Sequence, residues 1–386
     1  MPYLDHAATS YPKPDVVLDS MSAFARASGA NPGRSGHRRA VQAEAMIQET
    51  RRLLASLFGL PRPERLVFTT NATDALNMAI KGLVRKGDHV VTSELEHNSV
   101  IRPLNRLEKD GVIQVTRVRA SGEHLISPED VARAFTPATR LVVLTHASNV
   151  TGTIQPIAEI GKLARERGAR LLVDASQTAG AVPIDMVRDG IDLLAFTGHK
   201  GLLGPTGTGG LAVGEGVELR AWREGGTGGD STSPLQPAEL PHALEGGTPN
   251  VFGIAGLRAA VRFLQTTGVE KVLAHERALI CEFYRSLRDP GKFQWYGADR
   301  AIAERGAEGR VGLVCLNVPG FVASEVAAIL DQQFDIAVRA GLHCAPHAHR
   351  HLGTSPDGAL RISVGLLTTE ADVREAARAL DEIAAG

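Results

Sequence analysis

Apolar and polar positions along the chain switch repeatedly between a helical and an extended period. From Val41 to Phe58 apolar residues recur at helical spacing and stop at Gly59, which predicts an amphipathic helix. Short β-branched runs follow at Arg65 to Thr70, Asp88 to Thr92, Leu141 to Thr145, Arg170 to Asp174 and Leu193 to Thr197, separated by helical patterns. Such alternation predicts parallel strands joined by crossover helices. Leu211 to Val213 predicts one more strand, and Gly225 to Pro249, rich in Gly, Thr, Ser and Pro, predicts a long functional loop and a candidate domain seam. Beyond Val251 a helical period runs to Arg288, strands are expected near Gly312 to Val318 and Ala359 to Val364, and a closing helix from Glu370 to Ile383. The expected fold class is α/β. A large domain over residues 16–255 would be joined by a smaller α+β domain of residues 1–15 and 256–386.

Composition narrows the function classes. With 386 residues, 43% of them hydrophobic, the chain is long enough for both cores. A net charge of -1 and a pI near 6.9 give no whole-chain attraction to nucleic acid or an anionic membrane, so a small-molecule partner is expected. Cys281, Cys315 and Cys344, odd in number and widely spaced, argue against a disulfide framework and against zinc clusters of the CxxC kind. No signal-peptide pattern opens the sequence and no apolar run reaches membrane-span length, so a cytoplasmic protein is expected.

The candidate chemistry falls where the predicted strands end, the place where open parallel sheets gather ligands. Asn71, Ala72 and Thr73 follow one strand, His97 and Asn149 follow two others, Asp174 with Gln177 closes a fourth, and His199 with Lys200 closes a fifth. Taken alone, Lys200 reads as a surface charge, although a buried lysine in the crevice would be nucleophilic enough for a Schiff base. Asp174 by itself fits a metal ligand, a helix cap or the partner of a pyridinium nitrogen. Twenty-six residues, one helix and one strand, separate the two, the relation a pyridoxal-phosphate site needs. Asn71 to Asp74 reads either as an ordinary N-cap or as a phosphate cradle at a helix N-terminus. Cys281 and Cys315 lie in apolar patterns and read as core. Cys344 lies instead in a Gly- and Pro-marked loop beside Arg339, His343 and His347, a setting that favours a reactive thiol. The competing reading is metal binding by His343, Cys344, His347, His349 and His351.

These residues and their order resemble the class V, fold-type I aminotransferase-like enzymes, and within them the cysteine desulfurases and selenocysteine lyases. The resemblance runs from Tyr3-Leu4-Asp5-His6-Ala7-Ala8-Thr9 through Glu96-His97-Asn98-Ser99, His146 to Gly152, Asp174-Ala175-Ser176-Gln177, Gly198-His199-Lys200 and Glu245 to Asn250, to Arg339 to Cys344 and Leu360-Arg361-Ile362-Ser363. It implies a mostly parallel, seven-stranded-type sheet and a pyridoxal 5'-phosphate cofactor. Lys200 would carry the cofactor, Asp174 would pair with its ring nitrogen, Gln177 would bond its ring hydroxyl and His97 would stack on the ring. Thr73, Thr197 and His199 would hold the phosphate near Ala72, where a threonine is common in the family. Thr248 would contribute from the other subunit of a homodimer. Asn149, Arg339 and Arg361 are expected to bind the substrate.

By the same resemblance, Lys200 removes the α-proton of L-cysteine, the Cys344 thiolate attacks the substrate sulfur, and alanine leaves a persulfide behind on Cys344. Only sixteen residues lie between Cys344 and Arg361, a short tether of the type that works with a small sulfur-acceptor relay protein, in iron–sulfur or thio-cofactor synthesis. Neighbouring readings are a lyase acting on selenocysteine, cysteine sulfinate or another S-substituted cysteine, a plain transaminase, and a non-catalytic metal or sulfur carrier.

Overall fold

The computed structural model describes every residue except 34–35, 229–231, 298–301, 303–305 and 386. In chain order its elements are α1 (Asp15–Ser28), α2 (Arg38–Leu57), β1 (Leu66–Thr69), α3 (Ala72–Leu83), β2 (Asp88–Ser93), α4 (Asn98–Lys109), β3 (Ile113–Val118), α5 (Pro128–Ala134), β4 (Thr139–Thr145), α6 (Ile157–Glu166), β5 (Arg170–Asp174), β6 (Leu193–Thr197) and β7 (Gly209–Val213). After a long connection come α7 (Val251–Thr267), α8 (Val269–Ser286), β8 (Gln294–Tyr296), β9 (Leu313–Asn317), α9 (Ala323–Phe334), β10 (Arg339–Gly341), α10 (Pro346–His351), β11 (Ala359–Ser363) and α11 (Glu370–Ile383).

The first seven strands form one sheet in the order β1-β7-β6-β5-β4-β2-β3. Six point the same way, and β7 alone runs antiparallel to both its neighbours. Successive side chains of a strand face opposite sides, and here both sides are dry. Leu144, Leu171, Val173, Leu194 and Phe196 pack under α2, α6 and α7, whereas Leu141, Val143, Leu172, Leu193 and Ala195 pack under α3 and α4. This explains why the central strands read as continuous apolar runs. It is the mostly parallel, seven-stranded α/β architecture expected from the sequence.

A second sheet, β10-β11-β9-β8, is antiparallel throughout. Leu316, Leu360 and Ile362 pack against Phe283 of α8, Leu330 of α9 and Leu380 of α11. The N-terminal segment joins this layer, with Tyr3 bridging to Ala337 and Asp5 to Ser363.

The long helical period after Val251 breaks at Gly268, whose φ of 90° a residue with a Cβ rarely adopts, so two helices stand where one was expected. The expected domain boundary between residues 255 and 256 falls inside α7, whose Leu257, Ala260 and Leu264 share a core with Val17 and Leu54. No described helix is long and apolar enough to cross a membrane.

Candidate active site

The carboxyl ends of β1, β2, β4, β5 and β6 open on a cavity of about 230 Å³. Ala72, Thr73, His97, Asn149, Asp174, Gln177, Thr197, His199, Lys200, Arg339 and Arg361 all line it, so eleven of the expected site residues meet in one place. Cys344 and Thr248 do not: Cys344 stands next to the lining residues Arg339 and His343, and Thr248 lies exposed on a separate cavity of about 1010 Å³ bounded by the loop after β7.

Each group is set by the element that carries it. Asn71 is the N-cap of α3, accepting the Asp74 N–H at 3.0 Å, and so brings Ala72 and Thr73 with the free amides of the first turn to the cavity edge. His97 caps α4: its Nδ1 accepts the Ser99 N–H at 3.1 Å, which leaves the hydrogen on Nε2 in the neutral ring. Ser99 Oγ lies 2.9 Å from that ring and 2.8 Å from Thr73 Oγ1, tying two strand ends together. Burial lowers the His97 pKa, with Lys200, Arg339 and Arg102 acting in the same direction against Asp174.

Asp174 ends β5, and only one of its oxygens is used. Oδ1 accepts the Ser176 N–H at 2.9 Å and the Ser176 hydroxyl at 2.5 Å, which leaves Oδ2 for a partner in the cavity. Lys200 follows β6. Burial brings its pKa down to about 8, Asp174 resists the fall, and Arg361 and Arg339 add to it. Burial, with Lys200 and Lys13, brings the His199 pKa down to about 4, and its Nδ1 lies 3.1 Å from Thr9 Oγ1. Gln177 donates from Nε2 to the Ala7 carbonyl at 3.1 Å.

The other wall comes from the second sheet. Arg339 on β10 stands directly opposite Arg361 on β11, so the two guanidinium groups share one face. Like charges placed so destabilise a sheet unless anions sit beside them. Arg361 is 1% exposed; Asp5 pairs with its Nη2 at 2.7 Å and the Asn149 carbonyl accepts from its Nη1 at 3.1 Å, while its buried Nε has no partner. Arg339 Nη2 lies 3.8 Å from Cys344 Sγ. Asn149 spends its side-chain N–H on the His343 carbonyl at 2.6 Å, so it grips the cysteine loop as well as lining the cavity.

Cys344 is exposed, whereas Cys281 and Cys315 are buried, as their patterns predicted, and burial pushes the Cys315 thiol up to about 12. The histidines around Cys344 do not converge on it. His343 and His349 turn inward onto each other, and among the described residues no group of three or more His, Cys, Asp or Glu is arranged to hold a metal ion. Sequence reasoning missed Asp5, Ser99 and Ser176, the groups that orient Arg361, His97 and Asp174. Asp5 is 356 residues from its partner, so no spacing rule could pair them.

Residues 2–375 match the model of the aminotransferase class V family, and the chain belongs to that family of pyridoxal-phosphate enzymes. Within it, the chain is 34% identical over 388 residues to a probable cysteine desulfurase of Methanothermobacter thermautotrophicus, covering 99% of this chain and 94% of that protein. It is 33% identical over 354 residues to a cysteine desulfurase of Salmonella agona, covering 89% and 84%. The apo structure of a cysteine desulfurase from Thermococcus onnurineus NA1 is similar over 100% of this chain and 94% of that one, with a TM-score of 0.92 at 32% identity. The cavity suits the cofactor on its own evidence: a buried amine, a carboxylate oxygen without a partner and a helix N-terminus meet there, matching the aldehyde, ring nitrogen and phosphate of pyridoxal phosphate.

Proposed function

We infer that the chain is a pyridoxal-phosphate-dependent cysteine desulfurase, converting L-cysteine to L-alanine and receiving the sulfur on Cys344. The observation that carries this reading is the position of Cys344: the exposed thiol stands beside Arg339 and follows His343, both of which line the cavity that Lys200 and Asp174 share. When bound, the cofactor withdraws electrons from the substrate's α-carbon. The chain's own groups do the rest. Lys200, held near a pKa of 8, carries the cofactor and then takes the α-proton at Nζ and returns a proton to the product. Asp174 Oδ2 would pair with the ring nitrogen, His97 would stack on the ring, and Gln177 would bond its hydroxyl. The amides of Ala72 and Thr73, with Thr197 and His199, would hold the phosphate. The guanidinium fork of Arg361, with Asn149, holds the substrate carboxylate. Cys344 Sγ attacks the substrate sulfur as the carbon–sulfur bond breaks, so L-cysteine and one thiol become L-alanine and one persulfide. Arg339 faces the negative charge on the attacking sulfur.

Thr248, exposed on its separate cavity, reaches a phosphate only if a second copy packs there, which supports a homodimer sharing its sites. An exposed thiol on a short tether supports delivery to a small sulfur-acceptor relay protein, for iron–sulfur clusters or thio-cofactors, in a reducing cytoplasm. The break at Gly268, between a helix packed on the large sheet and one packed on the small sheet, is the natural seam between domains.

The test is L-alanine and sulfide production from L-cysteine with a reductant, comparing the wild type with Cys344→Ala. Alanine and sulfide together from the wild type alone, with both proteins equally yellow, is the expected result. An active Cys344→Ala protein would refute the assignment and favour a lyase that acts without this thiol.

A further inference from the structure

Two consecutive residues without glycine's freedom, His343 and Cys344, adopt φ of 50° and 59°. The left-handed region disfavours any residue with a Cβ, so the surroundings must hold this kink in place. Three backbone contacts do part of this: Ala345 N–H donates to Leu342 O at 2.9 Å, Asn98 N–H to Cys344 O at 2.8 Å, and the Asn149 side chain to His343 O. The remaining hold is a buried chain of side chains. His343 Nδ1 lies 3.2 Å from His349 Nε2, His343 Nε2 lies 3.4 Å from the Arg339 carbonyl, and His349 Nδ1 lies 2.7 Å from Thr354 Oγ1. The two rings stack at 5.4 Å, and His349 is fully buried, touching neither the cavity nor the thiol.

One placement of hydrogens satisfies every member. Arg339 O only accepts, so His343 Nε2 must donate; His343 Nδ1 then accepts from His349 Nε2–H, and His349 Nδ1 accepts from the Thr354 hydroxyl. The reverse placement sets two acceptors face to face at Arg339 O. The Thr354 hydroxyl also lies 3.3 Å from the His349 carbonyl and could donate there instead, so the contact at Arg339 O is the one that sets the direction. The chain therefore runs one way, from Thr354 through His349 and His343 to the strand residue whose guanidinium faces Cys344.

We propose that His349 is a positioning residue for sulfur transfer: by donating from Nε2 to His343 Nδ1 it holds the kink that presents Cys344 Sγ beside Arg339. The proposal rests on the desulfurase reading. Its test compares holoenzymes of the wild type, His349→Gln, His349→Leu and Thr354→Val. Gln keeps an N–H donor near the reach of Nε2, whereas Leu keeps bulk without a donor. Three quantities are read: bound cofactor by absorbance, the rate of Cys344 alkylation by iodoacetamide with the site confirmed by mass, and kcat and KM for alanine formation. His349→Leu is expected to keep its cofactor and its KM within about threefold, to lose at least tenfold in kcat and to change the alkylation rate at least threefold, with His349→Gln restoring most of both. Equal impairment of Gln and Leu would overturn the donor role, and so would a Leu variant that matches the wild type. Should the Leu variant fail to fold, Thr354→Val decides: without its partner at Nδ1 the His349 ring is held less firmly against His343, which is expected to lower kcat at least threefold with the cofactor retained, and an unchanged kcat overturns the proposal. If the wild type itself makes no alanine, the desulfurase reading fails, while the alkylation rates still report whether His349 positions Cys344.

Discussion

Asp174→Asn exchanges a single side-chain atom, and the surroundings of Asp174 say which one matters. Oδ1 accepts both hydrogens of Ser176, so an asparagine keeps its carbonyl oxygen there and presents its NH₂ where Oδ2 faced the cavity. The local fold loses nothing, and stability should change by less than about 1 kcal/mol. The ring nitrogen of the cofactor, however, meets a donor in place of an anionic acceptor. Loss of a charge-assisted hydrogen bond removes about 1.5–3 kcal/mol, and leaving both groups unsatisfied adds about 1–3 kcal/mol. The sum corresponds to roughly two to four orders of magnitude in kcat. Asp174 also holds the Lys200 pKa up against burial, so the substitution drives it further down. The assay is alanine formation per bound cofactor, with cofactor measured by absorbance and stability by thermal melting. Asp174→Ala, which abandons the Ser176 contacts as well, should lose cofactor, whereas Asp174→Asn should hold it. An Asp174→Asn enzyme with full cofactor and a kcat within tenfold of wild type would refute the assignment of Asp174 to the ring nitrogen.

Further outcomes follow from the same geometry. Arg361→Lys cannot serve Asp5, the Asn149 carbonyl and a carboxylate at once; losing one charge-assisted bond of about 1.5–3 kcal/mol should raise KM for L-cysteine by roughly 10- to 100-fold in steady-state kinetics. Limited iodoacetamide treatment of the native protein should label Cys344 alone, as read by peptide mass, because Cys281 and Cys315 are buried. Glu96 is fully buried, its Oε2 has no partner, and burial raises its pKa from 4.5 to about 8. The folded chain therefore binds one more proton at this site than the unfolded chain between those pH values, so the site's contribution to stability falls as pH rises from about 5 to 8 and levels off above. Glu96→Gln should lack that slope, so melts from pH 5 to 9 should show the wild type losing ground to the variant across this window; parallel curves would refute it. Gly358→Ala, at φ 83°, would set a Cβ on the backbone of Gly341 beside the cysteine loop, and should lower both melting temperature and kcat.

Much was legible along the chain because it depends on neighbours in sequence. β5, β6 and α11 begin and end where the pattern put them, since central strands with two dry faces show unbroken apolar runs and α11 opens on a capping box at Thr369 and Asp372. β3 escaped notice because only Ile113 and Val118 of this edge strand are buried, with Gln114 and Arg117 interrupting the run. The histidines around Cys344 admitted a metal-binding reading in one dimension; in three His343 bonds His349, while His351 turns to His124 and Glu94.

Sequence alone therefore determined most of the alternation of strands and helices, though turns stand where a helix was expected between β5 and β6, and it determined the residues at the strand ends and the contrast between one loop-borne and two core cysteines, because each is a local consequence of period, turn chemistry and side-chain type. Only the tertiary structure decided that β7 runs against its neighbours, that Asp5 holds Arg361 across the length of the chain, and that Arg339 and Arg361 share a face. It also decided that a buried pair of imidazoles stands behind the cysteine. These are contacts between distant segments whose geometry is set by how two sheets pack, and no period within either segment encodes it.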